Sequence, residues 1–573
     1  MNIKKLLWAV VIILLVIILL KPRKEEEILA DGTYENCYLF SLNENKMTVL
    51  VDDQKVTIDC PVGKETEKTD KIVDIQVENN QVTKITWKEG MITDKVDALS
   101  IEERWITLVS YGKKQIADAG RLYIKTGDEV RILTKAGSLL NQESVSFYIY
   151  NDEICAVVAA GDEELQTIRV LLHGETDGIY HENVRLTADA VYKVTIDGVT
   201  TEYNAGEEAA FADEKGTIRI SCDNGEIRML SLEHISGYPE YRGDILIQYT
   251  EKGFLVRNEV NLEEYLYSVV SSEMPASYPE EALKTQAVCA RTYAIYQMSQ
   301  AYYGEYGAHV DDTVNSQVYN NVAETDSTIQ AVEATTGQYL TYDNSPICAY
   351  FYSTSCGMTS DVKDVWISSG ESPVYLKGKF QGEGEMTIDL SQNEDFYHFI
   401  TETQENCFEK EEEWFRWTAQ ISYDALTEHV EKNLTTWLKE NPSLYHLESD
   451  DDYLGSVIKV QVAERSSGGV IKKLQITGEK GILTVSGEYQ IRKALCPEET
   501  VLTLNDGTNR TCNMLPSGYF AVENDDGIAV TGGGYGHGVG MSQNGSGAMA
   551  EMGYGYEEIL AFYYPETVLL QAY

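Results

Sequence analysis

The chain is 573 residues long, with 46 Lys and Arg against 92 Asp and Glu and a formal net charge of −46. That length calls for two or three domains and provides enough core to fold without metal or disulfide staples. The acidity makes nucleic acid a poor partner and speaks against other polyanions, since no basic run occurs beyond the N-terminus to displace counterions.

Leu6 to Leu20 is an uninterrupted apolar run, with Lys4 and Lys5 before it and Lys21, Arg23 and Lys24 after it. It falls short of the roughly 20 residues that cross a bilayer comfortably. No small-x-small cleavage site follows, however, and long cationic side chains at both ends can snorkel to the headgroups. Residues 1–24 are therefore expected to be an uncleaved, single-pass cell-membrane anchor that leaves the bulk of the chain on the extracytoplasmic side.

From Gly32 the pattern turns to strands and tight turns. Lys46-Met-Thr-Val-Leu-Val51 and Gln81-Val-Thr-Lys-Ile-Thr-Trp87 alternate or are β-branched, with Asp-Asp and Asn-Asn between them. These predict a small all-β domain, barrel or sandwich, over residues 25–100. A second β-rich domain is expected over 101–235, where Arg169–His173 and Gly216–Ser221 read as strands. Neither stretch shows a catalytic constellation, so spacer or binding modules are the expectation. Residues 236–573 mix strands (Asp244–Tyr249, Gly253–Arg257, Tyr339–Thr354, and again from Ser456) with a helix pair and a partly helical stretch, Phe396–Lys439. That order predicts an α+β catalytic domain, preceded by one or two small all-β domains and the membrane helix. Of the ten cysteines, Cys37 with Cys60 and Cys496 with Cys512 are the local pairs an oxidising compartment would offer, whereas Cys289 on a small-residue helix face reads as a buried thiol.

The helix pair holds the most informative residue. Leu262, Leu266, Val269 and Val270 recur at helical spacing and Pro275 ends the run, so Glu273 falls at the helix C-terminus. The backbone partial charge there is negative and disfavours ionisation, which predicts a raised pKa. In the next helix Leu283, Ala287, Ala290 and Ala294 form a narrow small-residue face that brings Arg291 near the acid.

Glu273-Met-Pro, the helix Glu281-Ala-Leu-Lys-Thr-Gln-Ala-Val-Cys-Ala-Arg291, the run Phe351-Tyr-Ser-Thr-Ser-Cys-Gly-Met-Thr359 and Gly536-His-Gly-Val-Gly-Met-Ser-Gln543 follow in order. Together they resemble the SpoIID/LytB family of cell-wall proteins, from about Tyr241 to Thr567. The resemblance implies a peptidoglycan lytic transglycosylase acting on glycan strands stripped of their peptides, with Glu273 as its single catalytic residue. It also implies a substrate-binding set of Arg291, Gln317, Tyr319, Ser353, Ser355, Gly357, Thr359, His537 and Gln543.

Each of these residues has its own chemistry. Arg291 is suited to a bidentate grip on a carboxylate such as the lactyl group of muramic acid; a salt bridge to Glu273 is the competing role and would spoil the acid. The cluster Thr531-Gly-Gly-Gly-Tyr-Gly-His-Gly-Val-Gly540 fits neither phosphate-loop spacing. Its glycines instead let backbone approach closely, leaving His537 where a flat ligand could reach it. Ser353, Ser355 and Thr359 put hydroxyls at a strand end. Without a G-x-S-x-G elbow a Ser nucleophile is excluded, and Cys356 with His537 is conceivable but not what the resemblance implies. Some relatives bind zinc through one His and two Cys; the matching positions here are His309, Asp311 and Ser316, so no metal and no cofactor is expected.

Two further functional readings stay open. One is a non-catalytic wall-binding protein that recruits or enhances an amidase, which suits the β-rich N-terminal region. The other is a muramidase-type hydrolase using a second carboxylate such as Asp361 or Asp364. The resemblance implies peptidoglycan glycan strands and an amidase or other sporulation membrane proteins as partners, and the N-terminal run adds the membrane.

Overall fold

A computed structural model describes residues 29–572, apart from 44, 63–69, 162–165, 175–177, 367–369, 385–387, 403–404 and 451–452. The expected anchor, residues 1–24, lies outside the described residues. Among the described residues no helix is long and apolar enough to cross a membrane. The chain divides into two compact units. One comprises the described residues before 164 together with Gln300–Gly307; the other comprises the remainder.

In the first unit, strands Gly32–Asn43, Lys46–Val51, Gln54–Asp59, Gln81–Trp87 and Lys71–Glu78 close into a five-stranded barrel. Val73, Ile75 and Val77 alternate inward with Leu39, Met47, Val49 and Val82, as a half-buried strand pattern requires. A second sheet runs in the order Met91–Asp94, Val145–Tyr150, Glu153–Ala160, Gly112–Thr126, Trp105–Leu108, Val96–Ser100. Tyr123 from this sheet donates to the Asn36 carbonyl in the barrel at 2.6 Å, and its ring packs with Tyr38 and Ile72. Barrel and sheet thus share apolar surface within one unit.

The boundary expected at residue 235 is corrected by strand register. Thr167–Leu172 pairs antiparallel with Gly253–Asn261, from Thr167↔Asn261 to Leu172↔Val256. It sits in a seven-stranded sheet with Val199–Tyr203, Tyr192–Ile196, Thr217–Ser221, Asp244–Thr250, Gly253–Asn261 and Val310–Asp311. Residues from 166 onward are therefore part of the unit that carries Glu273, and the segment read as a separate domain supplies one side of its core, including Ile168, Val170, Ile218 and Ile220. On that core lie the Leu262–Glu273 and Glu280–Gln300 helices, through Leu266, Val269, Leu283, Ala287, Ala290 and Ala294.

Farther along, a five-stranded sheet (Asn509–Cys512, Thr500–Leu504, Trp417–Ile421, Ile528–Gly532, Phe520–Asn524) and a four-stranded sheet (Tyr445–Ser449, Gly481–Ser486, Ile471–Gly478, Val457–Arg465) share a core with the Tyr423–Glu440 helix. The α+β reading of this unit agrees with these elements. Cys496 and Cys512 lie with sulfurs 3.5 Å apart, while Cys289 is buried against the Met541 sulfur.

Candidate functional site

Glu273 is the last residue of the Leu262–Glu273 helix, and Met274 caps it through a backbone bond to the Val270 carbonyl. Its side chain is half-buried. The Val318 N–H donates to Oε1 at 2.8 Å and the Gln543 amide donates to Oε2 at 3.3 Å. Burial pushes the carboxyl above the ordinary glutamate range, and these two donors only partly offset it. The two bonds are asymmetric: Oε1 is the more firmly held oxygen and Oε2 the more lightly held.

The distant motifs converge on this carboxyl. Strand Phe351–Tyr352 runs parallel to Met541–Ser542, with Phe351 opposite Met541 and Tyr352 opposite Ser542. The glycine cluster leads into that pair, where Gly540 has φ +76° and a β-carbon there would fall 2.1 Å from the Tyr350 carbonyl oxygen. Ser542 then caps the Gln543–Glu551 helix, accepting from the Gly545 N–H, so that Gln543 opens the helix beside Glu273. Asn544 donates to Thr354 Oγ1 at 2.8 Å and accepts from the Tyr278 hydroxyl, which closes the ring back to the chain just after the acid.

Of the sequence-predicted residues, Glu273 and Gln543 are joined directly and Ser353 is half-buried nearby, its carbonyl accepting from the Asn544 N–H and the Ser542 hydroxyl. Other expectations are corrected by burial. Arg291 has no exposed surface: it grips Glu263, with Nε on Oε1 at 2.7 Å and Nη2 on Oε2 at 2.5 Å, and so neither holds a ligand nor pairs with Glu273. Gln317 is buried against Tyr265 and the Ala290 carbonyl, and the Tyr319 hydroxyl donates to Asn258 at 2.7 Å. These two support the Val318 loop from beneath rather than line a surface. Ser355, Gly357 and Thr359 are likewise buried; Ser355 Oγ bonds the Gly357 N–H and Thr359 bonds Lys379 backbone.

His537 is half-buried with both ring nitrogens engaged by backbone, Nε2 on the Phe351 carbonyl and Nδ1 accepting from Val539. Burial lowers its pKa to about 4, so it is a neutral structural imidazole. It has no nitrogen left to activate Cys356, whose buried thiol is pushed up to about 11. His309 Nδ1 accepts from the Arg169 N–H, Ser316 Oγ accepts from the Asp311 N–H, and among the described residues no group of three acidic, His or Cys side chains could hold a metal ion. Asp361 accepts from the Gly378 N–H and Asp364 pairs with Lys472.

Sequence reading missed Glu409. Its side chain is 1% exposed, and Oε1 accepts from the Ser355 N–H at 2.8 Å and from the Ser542 hydroxyl. It thereby clamps the hydroxyl-rich turn to the residue preceding Gln543. Oε2 has no partner among the described residues and lies over Gly545, where a β-carbon would meet it at 3.0 Å. Burial raises the carboxyl to about 7. Because the folded value lies above the unfolded one near 4.5, this group's contribution to stability is fully present below about pH 4.5 and is lost as pH rises through 7. Glu409→Gln keeps the acceptor and removes the titration. Urea melts should show the variant gaining roughly 3 kcal/mol on wild type between pH 4.5 and 8. Parallel pH profiles for the two proteins would show that Glu409 is not the buried neutral acid described.

Residues 250–342 match the SpoIID family model, "Stage II sporulation protein", and residues 360–540 match a domain of unknown function, DUF8618. The "Amidase enhancer" of Bacillus subtilis (strain 168) is 29% identical over 417 residues, 66% of this chain and 54% of its own length. The "Stage II sporulation protein D" of the same organism is 27% identical over 330 residues, 55% of this chain and 75% of that one. An uncharacterized protein of Brachyspira hyodysenteriae is 28% identical over 327 residues, 57% of this chain and 71% of that one. The chain thus spans about half the length of the amidase enhancer. Glu273 and Arg291 fall in the first matched segment, while Glu409 comes from the second.

Proposed function

We propose that this chain, which carries a SpoIID-family domain, cleaves peptidoglycan glycan strands as a lytic transglycosylase with Glu273 as its only proton-transfer group. The reading rests on one observation above the rest: a carboxyl with a raised pKa, fixed at one oxygen by Val318 and lightly held at the other by Gln543, stands where the family's separate motifs converge. Protonated Glu273 donates from Oε2 to the bridging oxygen after N-acetylmuramic acid, and the C1–O bond breaks. The carboxylate then takes the proton from that sugar's own C6 hydroxyl as O6 bonds to C1. No water is consumed, the acid is restored, and a 1,6-anhydro end results. One carboxyl suffices because the nucleophile, the C6 hydroxyl oxygen, belongs to the substrate.

The substrate class, glycan already stripped of peptide, follows from the family resemblance. We place the described units outside the membrane because only five residues precede the apolar run Leu6 to Leu20. The test is product mass: the full chain incubated with peptide-free strands should release fragments ending one water lighter than hydrolytic ones. Ordinary reducing ends would instead support a hydrolase.

A second reading, a non-catalytic enhancer of an amidase, is favoured by the amidase enhancer relative, which matches over 66% of this chain. On that reading strands remain uncut while a partner amidase is stimulated, so the mass experiment separates the two.

A further inference from the structure

We infer that Trp414 and Tyr535 form a sugar-stacking platform in the same site, taking one ring of a β-1,4-linked amino-sugar strand; the inference rests on the reading of Glu273 as a glycan-facing acid. With His537 committed to backbone, the glycine cluster's solvent-facing side chain is Tyr535, 43% exposed. Its ring lies parallel to that of half-buried Trp414, centroids 4.6 Å apart and planes within 19°. Both rings stand on paired backbone. Tyr535 exchanges two hydrogen bonds with Thr354, at 3.1 and 2.8 Å, and the Gly534 N–H donates to the Trp414 carbonyl at 2.8 Å. The rings are thus held in place before any ligand arrives, which reduces the ordering a ligand must impose.

Hydrogen bonds link the platform to the acid. Thr354, the backbone partner of Tyr535, accepts from Asn544; Asn544 follows Gln543, and Gln543 reaches Glu273. Ser353 and Asn544, both half-buried, set hydroxyl and amide groups along that path. A β-1,4-linked pyranose carries its polar groups equatorially and turns C–H bonds to each face, so it packs flat on an aromatic ring while its hydroxyls meet polar groups at the edge. An exposed, rigid, uncharged ring beside a hydroxyl and an amide matches that ligand. Trp414 and Tyr535 both come from the stretch matching a domain of unknown function. That stretch would then supply a strand-holding surface to the acid of the SpoIID segment.

The experiment titrates the full chain with a β-1,4-linked N-acetylglucosamine pentamer, following calorimetry and tryptophan fluorescence. Wild type should bind saturably. Tyr535→Ala should raise Kd about tenfold with an unchanged thermal melt, while Tyr535→Phe, which keeps the ring, should stay within about twofold. Trp414→Phe should remove the fluorescence change. Glu273→Gln should bind as wild type does, which separates this surface from the chemistry; binding without strand cleavage by the wild-type chain removes the lytic reading and leaves the platform in place. No saturable binding by wild type, or equal affinity of wild type and Tyr535→Ala, overturns the platform. So does wild-type affinity in Tyr535→Ala with amidase stimulation lost, which would assign the rings to a protein partner.

Discussion

Glu273→Gln should cut the rate of anhydro-end formation by roughly 10³-fold or more while leaving the melting temperature within a few degrees of wild type, since general acid and base roles are lost together. The substitution keeps an oxygen for the Val318 N–H, and a flip of the Gln543 amide presents its oxygen to the new NH2, so the helix end keeps both bonds. Only the proton is removed. Glu273→Asp is a sharper probe. It retains the acid but withdraws it by one methylene, and misplacement of about 1 Å costs on the order of 10²-fold. The pH profile carries a second check. Glu273 must be protonated to start each turnover and its folded pKa lies above the ordinary range, so kcat/KM should hold through the acid side and fall as pH rises through that raised value. Strand cleavage at wild-type rate in the Gln protein would remove Glu273 from the chemistry and leave the binding reading.

The parts of this site that the sequence made legible are those set by local pattern. A helical spacing of Leu262, Leu266 and Val269, ended by Pro275, is enough to put Glu273 at a helix terminus, whereas the raised pKa comes from burial, which the spacing does not show. The strands from Gly32 onward and the Cys289 thiol follow from equally local signals. What resisted reading is pairing at a distance. Thr167–Leu172 shows itself as a strand by β-branched composition, but nothing in its residues says that its neighbour is Gly253–Asn261, some ninety residues on in the chain, and the domain boundary moved for that reason. Glu409 sits in the acidic run from Glu409 to Glu413, where spacing alone cannot distinguish a buried clamp from solvated neighbours. The hydroxyl-rich motif was legible as a turn at a strand end but not as an interior one. Ser355 and Thr359 hold the turn together, and among its hydroxyls Ser353 keeps access to solvent. In the glycine cluster the titratable residue drew attention, whereas packing turned His537 inward and Tyr535 outward.

Arg291→Ala should unfold or nearly unfold the SpoIID segment instead of weakening ligand binding in a folded protein. The guanidinium is fully buried and ties four elements at once: Glu263 on the acid-bearing helix, its own Glu280–Gln300 helix, the Val332 carbonyl of the Asp326–Ala334 helix at 3.3 Å, and the Gln338 carbonyl at the start of strand Gln338–Tyr342 at 3.1 Å. Truncation leaves the Glu263 carboxylate, itself only 9% exposed, without its cation, and breaking a buried pair from one side costs about 3–5 kcal/mol. Against a total stability of about 5–15 kcal/mol that is a large share. Replacing both partners is the discriminating control. Arg291→Met with Glu263→Leu removes both charges and keeps volume, so it should recover most of the loss in urea melts, since a buried pair exchanged for apolar groups is often neutral. If the single variant melted like wild type but bound glycan weakly, Arg291 would regain the ligand-holding role that its chemistry alone suggests. The prediction here is the reverse, because Glu263 already occupies the bidentate face of the guanidinium and leaves a substrate carboxylate no place on it.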